Sequence, residues 1–392
     1  MCYNNLGKRK NISNFGFSNL ADLSLLQNHE KCGMITKNRK GDVFMHKLGI
    51  IGFGGMGNFH FNKSKDTGVV EPVAAYDIDP ERGKVAAEKG LKVFNTPDDF
   101  FASHEFDIVV VATPNNFHHD YVCRALREGY NVVCEKPVAM SSEELQDMIN
   151  VANETGKIFT VHQNRRWDTD YLTVRNAIEK GLLGKAYAIE SCVHGQNGVP
   201  HGWREHKIAG GGMMLDWGVH LIDQLMYMIH EKVVDVWCQM ESIRSNEVDD
   251  YFKLIISFEG GIKAQIEVGT FCLIRKPRWY INGTEGSMLL ENWDCNGKIV
   301  NANTDCLNWE PQIIMTSAGP TRTMAPRPQE TLNELPIEII KGDWTEFYKN
   351  VCAAIEGTQE QIVKHDEVMR VFKVMEAAFK SAEEGKSQKV NI

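Results

Sequence analysis

Three ionisable residues in two separate segments are suited to acid–base chemistry. Lys136 lies in the segment Glu-Lys-Pro directly after a short apolar run, and Asp216 and His220 are four residues apart in Asp-Trp-Gly-Val-His. On a helix this spacing places two side chains on one face, so we expect Asp216 to orient the His220 ring. A histidine that takes a hydroxyl proton while hydride leaves the carbon, beside a lysine that stabilises the developing alkoxide, suits alcohol oxidation.

Each of these residues also has an ordinary structural interpretation. A lysine at the end of a strand is more often a solvated surface charge. An aspartate and a histidine near a helix start can act as a helix cap and a half-buried polar residue. The spacing alone leaves these alternatives open.

A glycine-rich turn follows the first apolar run of the chain. It has the pattern G-x-G-x-x-G and consists of Gly52, Phe53, Gly54, Gly55, Met56 and Gly57. Such a turn brings helix N-terminal N–H groups close to a pyrophosphate, although the pattern alone also fits a plain tight turn. Asp77 lies 20 residues past Gly57, where a carboxylate binds a ribose 2′-hydroxyl and repels a 2′-phosphate. Together they predict a dinucleotide site that favours NAD over NADP, with Arg82 on the solvent face of the next helix.

The elements that position these residues alternate between strands and helices over residues 45–166. We predict strands at Lys47–Phe53, Pro72–Tyr76, Lys92–Phe94, Asp107–Ala112, Asn131–Cys134 and Lys157–Val161. A capping box at Ser141 and Glu144 marks the clearest helix. This alternation predicts an α/β fold with a doubly wound parallel sheet of the Rossmann type.

The carboxyl edge of that sheet is where ligands of open α/β sheets bind. Lys136 and the segment Thr113–His118 follow predicted strands and are expected at this edge. A loop ended by proline with a helix cap explains Thr113 to Asn116 equally well from composition.

Residues 167–392 predict a second, α+β domain. We predict helices at Thr169–Lys180, from about Leu215, at Trp344–Glu356 and at His365–Glu384. The strands Tyr251–Phe258 and Ile262–Val268 flank Glu-Gly-Gly and are expected to pair antiparallel. Residues 295–340 show little periodicity and are expected to form long surface loops with a strand or two.

Composition excludes several classes of protein. The chain has 392 residues and a formal net charge of −9, which argues against a nucleic-acid partner. Its apolar and charged fractions are ordinary for a globular protein, and no apolar run is long enough to span a membrane. Although there are 13 histidines, they show no recognised metal-ligand spacing, so we predict a metal-free mechanism.

The first 44 residues are polar and are interpreted as an N-terminal extension. They lack the apolar core of a secretory signal, so we expect a cytoplasmic protein. The ten cysteines are scattered and form no C-x-x-C pair, which predicts reduced thiols.

Several segments together resemble the Gfo/Idh/MocA oxidoreductases over residues 47–390. They are GIIGFGGMG, YDIDPER, ATPNNFHH, CEKP, HQNRRWD, GGGMMLDWGVHLID and INGTEGS. The resemblance implies an N-terminal Rossmann domain, a C-terminal α/β domain whose open, largely antiparallel sheet mediates homo-oligomerisation, and a substrate pocket between them.

The resemblance also implies roles for individual residues. Lys136, Asp216 and His220 match the catalytic lysine and the D-x-x-x-H pair of the family. The matching dinucleotide contacts are the six turn residues, Asp77, Thr113, Asn115, His118, Glu135 and Lys136, and Asn164 and Arg165 match a strand end close to nicotinamide or substrate. Trp203 and Arg204 resemble a pair that binds the sugar, although a packing role is equally compatible.

The preferred prediction is an NAD-dependent dehydrogenase that oxidises a secondary ring hydroxyl, favouring the 3-hydroxyl of a glucoside. This preference depends on aromatic and histidine residues that suit a pocket for an aglycone, namely His194, His201, Trp203 and His206. The alternatives are an inositol dehydrogenase, an oxidoreductase whose cofactor stays bound while one sugar is oxidised and another reduced, and a non-catalytic NAD sensor.

Overall fold

The structure, a computed structural model, describes residues 45–198, 201–303, 305, 313–321 and 327–392. The predicted N-terminal extension, residues 1–44, lies outside the described residues. Residues 45–392 form one compact unit that contains two large sheets.

The first sheet is parallel and confirms the predicted Rossmann fold. Its six strands are β1 (His46–Ile51), β2 (Val70–Tyr76), β3 (Lys92–Phe94), β4 (Ile108–Val111), β5 (Asn131–Cys134) and β6 (Phe159–Val161). They are ordered β3-β2-β1-β4-β5-β6. Every residue of β4 and β5 is buried, as expected for strands covered on two faces. The strand order reverses between β1 and β4, so a ligand crevice opens at their carboxyl ends.

Five helices connect these strands. They are α1 (Gly55–Lys65), α2 (Pro80–Glu88), α3 (Pro97–Ala102), α4 (His118–Arg127) and α5 (Ser142–Thr155). Ser141 caps α5, because its hydroxyl accepts a hydrogen bond from the Glu144 N–H at 3.2 Å. The Glu144 carboxylate accepts from Met140 N–H instead of Ser141 N–H, so half of the predicted capping box forms.

The second sheet is mixed and mostly antiparallel. Its strands are β7 (Ala186–His194), β8 (Val233–Glu241), β9 (Tyr251–Phe258), β10 (Lys263–Gly269), β11 (Trp279–Gly283), β12 (Gly286–Leu290), β13 (Gly297–Ala302), β16 (Leu332–Leu335) and β17 (Gln388–Lys389). The order is β16-β13-β12-β11-β7-β10-β9-β8-β17. The predicted β9–β10 hairpin is antiparallel, and the β7–β10 pair is parallel.

The segment 295–340 contains more strand than predicted. β13 and β16 extend the second sheet, and β14 (Ile314–Thr316) pairs with β15 (Gly319–Thr321). In β13, which lies between β12 and the edge strand β16, the buried side chain is Ile299, so this strand lacks the apolar alternation that marks a strand in a sequence. Residues 304, 306–312 and 322–326 of this segment lie outside the described part.

The described part of the second domain contains four further helices: α6 (Thr169–Glu179), α7 (Val219–Met228), α8 (Thr345–Ile355) and α9 (His365–Glu384). α7 is buried from Val219 to Met226. The C-terminal elements also contact the first sheet, since Gln361 Nε2 donates to the Phe159 carbonyl at 2.7 Å. A boundary near residue 166 therefore separates the two sheets but not all of their contacts.

A buried ion pair joins the end of the first sheet to α7. The Arg166 guanidinium donates to both Asp223 oxygens at 2.7 and 2.8 Å and to Glu367 at 2.7 Å, and the Arg166 and Asp223 side chains are each 2% exposed. Unpaired charges at this depth would be costly, so the two residues stabilise the fold only together.

The described cysteines fit the predicted reduced state. Seven are free, and six of these are buried. None of the described helices is long and apolar enough to cross a membrane.

We predict that Asp223→Asn lowers the free energy of unfolding by about 3 kcal/mol, because it leaves the buried Arg166 charge with Glu367 alone. Urea unfolding followed by circular dichroism measures the change. Asp66→Asn removes an exposed pair with Lys63 and is expected to change stability by less than about 0.5 kcal/mol. Equal effects of the two variants would contradict the prediction.

Candidate active site

The glycine turn between β1 and α1 has the backbone geometry of an anion cradle. Gly52 has φ of +87°, and a Cβ there would lie 2.6 Å from the Ala112 carbonyl oxygen. A Cβ on Gly57 would lie 2.1 Å from the Gly52 oxygen, so only glycine allows this close approach. Gly54 caps α1 without a side-chain hydrogen bond, which leaves the first N–H groups of the helix for a phosphate. Phe53, Gly55 and Met56 complete this turn.

Asp77 lies at the end of β2 beside that turn. Its carboxylate accepts hydrogen bonds from Phe53 N–H at 2.6 Å and Asp79 N–H at 2.8 Å. Arg82 is half exposed, as expected, but its guanidinium lies 3.8 Å from the Asp77 carboxylate and above Gly54. The position fits the ribose contact predicted for Asp77 and adds a cation beside it.

The segment after β4 forms the other wall of the crevice. The Thr113 hydroxyl is buried without a hydrogen-bond partner in the described structure. Asn115 donates to the Gly210 carbonyl at 2.7 Å, and the buried His118 bonds to the carbonyls of Thr113 and Pro137. Thr113 is therefore available to a ligand, whereas Asn115 and His118 hold the surrounding loops.

These features fit a dinucleotide. The turn has space for a pyrophosphate that a Cβ would fill, and the Thr113 hydroxyl lacks the partner that a buried donor requires. The residues that would hold the cofactor are those of the turn, Asp77 and Thr113.

Lys136 and Asp216 form an ion pair between the two domains. The Lys136 ammonium donates to Asp216 Oδ1 at 2.9 Å and to the Asp216 carbonyl at 2.8 Å. Arg204 Nε adds a longer contact to Asp216 Oδ1, at 3.3 Å. Burial opposes ionisation of Asp216, but the two cations outweigh it and lower its pKa. Lys136 is 11% exposed, which excludes the solvated surface charge considered above.

The predicted contact between Asp216 and His220 does not form. Among the described residues Asp216 bonds to Lys136 and Arg204, while His220 Nδ1 is buried without a partner. Two cations attract a carboxylate more strongly than a neutral imidazole does. Asp216 also lies in a π-helical turn, Met214–Gly218, so the α-helical spacing assumed from the sequence does not apply.

The His220 ring is suited to act as a base. Burial lowers its pKa well below the ordinary value, and the nearby Lys136 and Arg165 cations lower it further. The ring is therefore neutral at pH 7 and able to take a proton. Its free Nδ1 is a site for a hydrogen-bonding ligand.

A pocket of about 590 Å³ is lined by Trp217, whose ring centroid lies 6.2 Å from that of His220, but Lys136, Asp216 and His220 do not line it themselves. Arg165 stacks over the Trp217 ring at 4.2 Å, and the Trp217 and Trp293 rings are 6.0 Å apart. His194 and His201 also line the pocket. An aromatic wall with scattered polar groups suits a ligand that has an apolar face and several hydroxyls.

Two other predicted residues do not line the pocket. Trp203 is in the 3-10 turn Gly202–Glu205, where the Arg204 guanidinium lies 4.5 Å from its ring. Asn164 is buried in the 3-10 turn that follows β6. Arg204 reaches Asp216, and Trp203 contacts the site through Arg204.

Asp249 holds the π-helical turn that carries Asp216. Its carboxylate accepts from Met214 N–H at 2.7 Å, and a Cβ on Gly212 would lie 2.2 Å from its Oδ1. Burial raises the pKa of Asp249 to about 6, although the Met214 hydrogen bond favours the ionised form.

Sequence reasoning missed several of these residues. Trp217 lies inside the segment Asp-Trp-Gly-Val-His and was accessible from that motif, whereas nothing local marks Trp293 or Asp249. His60 and His162 come together with the predicted residue Glu135, with His60 Nε2 at 2.8 Å and His162 Nδ1 at 2.7 Å from Glu135 Oε1. Their separation in the chain hides this cluster from any spacing rule.

Comparisons with known proteins identify the family of this chain. Residues 46–163 match the family described as an oxidoreductase family with an NAD-binding Rossmann fold, and residues 171–289 match the GFO/IDH/MocA C-terminal domain. A solved NAD-binding protein from Listeria innocua is 41% identical, covers 88% of this chain and all of its own, and has a TM-score of 0.84.

Curated relatives include enzymes that act on polyols and sugars. An uncharacterised oxidoreductase of Schizosaccharomyces pombe is 30% identical over 77% of this chain and 86% of its own length. The NADP⁺-dependent scyllo-inositol 2-dehydrogenase of Bacillus subtilis is 24% identical over 90% of this chain and 97% of its own. The D-glucoside 3-dehydrogenase of Escherichia coli is 32% identical over 41% of this chain and 47% of its own.

We predict that Asp77→Ser weakens NAD binding about tenfold and reduces the preference for NAD over NADP, because the carboxylate no longer binds a 2′-hydroxyl or repels a 2′-phosphate. Arg82→Ala is the matched control and is expected to weaken NADP binding while NAD affinity stays within about threefold. Titration of reduced cofactor fluorescence measures all four affinities. An unchanged preference in Asp77→Ser would contradict the assigned contact.

We predict that Asp249 makes the fold less stable as pH rises from about 4 to 6. Its folded pKa of about 6 exceeds the ordinary 3.8, so its contribution is fully present below pH 4 and is lost through pH 6. Asp249→Asn is expected to remove about 2–3 kcal/mol from the difference in unfolding free energy between pH 4 and pH 7. Urea unfolding at the two pH values tests this, with the exposed Asp98→Asn as control. If Asp249→Asn shows the same difference in unfolding free energy between pH 4 and pH 7 as the wild-type protein, the prediction is wrong.

Proposed function

This chain belongs to the Gfo/Idh/MocA family of NAD-binding oxidoreductases, and we propose that it oxidises a secondary ring hydroxyl of a sugar or glycoside. The favoured reaction is oxidation of the 3-hydroxyl of a glucoside to a 3-keto sugar. The observation that carries the proposal is the Lys136 ammonium, held on Asp216 close to a buried neutral His220.

The reaction needs a proton acceptor and a hydride acceptor. Bound nicotinamide supplies the hydride acceptor. The neutral His220 ring takes the hydroxyl proton as the ring carbon loses its hydrogen with both electrons and the C–O bond becomes C=O. The Lys136 ammonium donates a hydrogen bond to the same oxygen, which stabilises the developing alkoxide. Asp216 holds that ammonium in place through the 2.9 Å hydrogen bond.

The pocket supports a substrate larger than a single sugar ring. Its volume of about 590 Å³ and its walls of Trp217, Trp293 and His194 fit a ring stacked on an aromatic surface with an attached group. Arg165 bonds to Asp168 at 2.8 Å through Nη1, while its Nε is buried without a partner and available to a hydroxyl. This pocket favours a glycoside over a free sugar.

A second candidate substrate is an inositol. The scyllo-inositol dehydrogenase relative extends over 90% of this chain, whereas the glucoside dehydrogenase relative extends over 41%. An inositol ring presents secondary hydroxyls to the same lysine and histidine.

Asp77 favours NAD as cofactor, although the nearby Arg82 would tolerate a 2′-phosphate.

The second sheet also supports a homo-oligomer. Tyr187 on β7 is 51% exposed and Tyr280 on β11 is 37% exposed, so aromatic side chains lie open on neighbouring strands. Such side chains suit an interface between copies of this chain.

A cytoplasmic location and a cofactor that stays bound remain predictions.

The test is absorbance of reduced nicotinamide on mixing the purified protein with inositols, free sugars and aryl glucosides, first without and then with added NAD. We expect turnover with an aryl glucoside and added NAD. A signal without added NAD shows a bound cofactor, and preference for an inositol selects the second candidate. No turnover with any compound under either condition would refute the proposed activity.

Lys136→Met is expected to lower kcat by about 10²–10³-fold with NAD affinity within about threefold, because it removes the oxygen-stabilising donor. Lys84→Met, which breaks an exposed pair with Glu81 on α2, is the matched control and leaves kcat unchanged. Retained turnover in Lys136→Met would overturn the assigned mechanism.

A further inference from the structure

Glu135, the residue that precedes Lys136, belongs to a buried chain of hydrogen bonds. Tyr348 on α8 bonds to His60 Nδ1 on α1 at 2.5 Å, and His60 Nε2 bonds to Glu135 Oε1 at 2.8 Å. His162, after β6, bonds to the same Oε1 at 2.7 Å. The side chains of His60, Glu135 and His162 are 0%, 5% and 3% exposed, and Tyr348 is 2% exposed. The proposed reaction uses none of the four as acid or base.

One protonation state satisfies this chain. Burial raises the pKa of Glu135, but its bonds to His162 and His60 outweigh burial and hold it well below the ordinary value. Burial lowers the pKa of His60, and burial raises that of Tyr348. An ionised Glu135 thus accepts two imidazole N–H bonds, while the Tyr348 hydroxyl donates to His60 Nδ1.

His60, Glu135 and His162 each offer one atom that could bind a metal ion, and these atoms lie within 4.8 Å of one another. This is also the arrangement of a metal site. Their distances of 2.7 and 2.8 Å are hydrogen-bond lengths, and each nitrogen at those distances already has Glu135 as its partner. The hydrogen-bonded interpretation therefore accounts for the geometry without an ion.

The Glu135 carboxylate also contacts the backbone of the catalytic lysine. Its Oε2 accepts from Lys136 N–H at 3.1 Å, while Oε1 accepts from the two histidines. His60 lies on α1, the helix whose N-terminus forms the cofactor turn. One carboxylate thereby connects the cofactor helix, two strand ends and α8 to the backbone that carries Lys136.

We propose that Glu135, held by His60, His162 and Tyr348, is a positioning residue that fixes Lys136 relative to the cofactor helix. Glu135 was predicted to contact the dinucleotide; within the protein its Oε1 accepts from His60 and its Oε2 accepts from Lys136 N–H. Its role is to set the distance between the lysine that binds the substrate oxygen and the turn that binds the cofactor. The inference rests on the proposed function, since it assigns this lysine to the reaction.

Glu135→Gln tests the positioning directly. The amide oxygen can still accept from both histidines, but the amide NH₂ then faces Lys136 N–H, and two donors cannot bond. With NAD and 4-nitrophenyl β-glucoside we expect kcat to fall about 10- to 100-fold, because a displacement of about 1 Å costs that much. The KM for NAD is expected to change by less than about threefold.

The pH profile separates positioning from a loss of folding. The groups that act on the His220 pKa are Lys136, Arg165, Glu135 and His162, and Glu135 is the anion that raises it. Removing this anion lowers the His220 pKa, so the acidic limb of kcat/KM moves to lower pH in Glu135→Gln. A variant that is only less stable would keep the wild-type limb.

Two tyrosine variants provide a matched comparison. Tyr348→Phe removes the hydroxyl that bonds to His60. Tyr130→Phe removes another buried hydroxyl, which donates to the Phe101 carbonyl in the first domain. We expect kcat to fall about fivefold in Tyr348→Phe and to stay unchanged in Tyr130→Phe, at similar losses of melting temperature. Equal kcat in the two variants would overturn the proposal.

A crystal structure of Glu135→Gln with NAD decides the question without a substrate. Movement of Lys136 Nζ away from the Asp216 oxygens supports the proposal. An unmoved lysine at 2.8 and 2.9 Å from Asp216, with wild-type melting, would overturn it even if no sugar is oxidised. Failure of the sugar panel alone would refute the proposed activity and leave the structural result intact.

Discussion

The ion pair between Lys136 and Asp216 is the interaction on which the site depends. It joins the carboxyl end of a central parallel strand to a π-helical turn of the second domain across 2.9 Å. The side chains are 11% and 20% exposed, so water screens the pair weakly. The two domains thus meet at this ion pair.

Buried polar groups elsewhere in the described structure are mostly satisfied in pairs. Arg166 has Asp223 and Glu367, and the Trp279 indole donates to Asp170 at 2.8 Å. By contrast, the Thr113 hydroxyl, Arg165 Nε and His220 Nδ1 are buried without partners, and all three belong to the candidate site. Other unpartnered buried atoms, such as the Tyr171 hydroxyl and Asn301 Oδ1, lie elsewhere, but the three in the candidate site are where a polar ligand could bind them.

The first sheet could be predicted closely because its strands are short, apolar and separated by helices, and β3 and β5 begin and end where the sequence placed them. The edge strand β16 and its neighbour β13 were harder to predict, since few of their side chains are buried. Lys136, Asp216 and His220 were found from motifs, but their contacts were not, because a π-helical turn changes the angular spacing. Trp293 and the partners of Glu135 depend on contacts between distant segments, which local patterns do not encode.

The return of α8 to the first domain has a consequence for synthesis. The strands β1 to β6 are complete in the chain at Val161, so the parallel sheet can form early while translation continues from the N-terminus. The partner of His60 is Tyr348, which leaves the ribosome 187 residues later. During that interval His60 lacks its Tyr348 partner, so a nascent chain that has folded its nucleotide domain holds Glu135 only through His60 and His162. The glycine turn can therefore form before the support around Lys136 is complete as the protein is made.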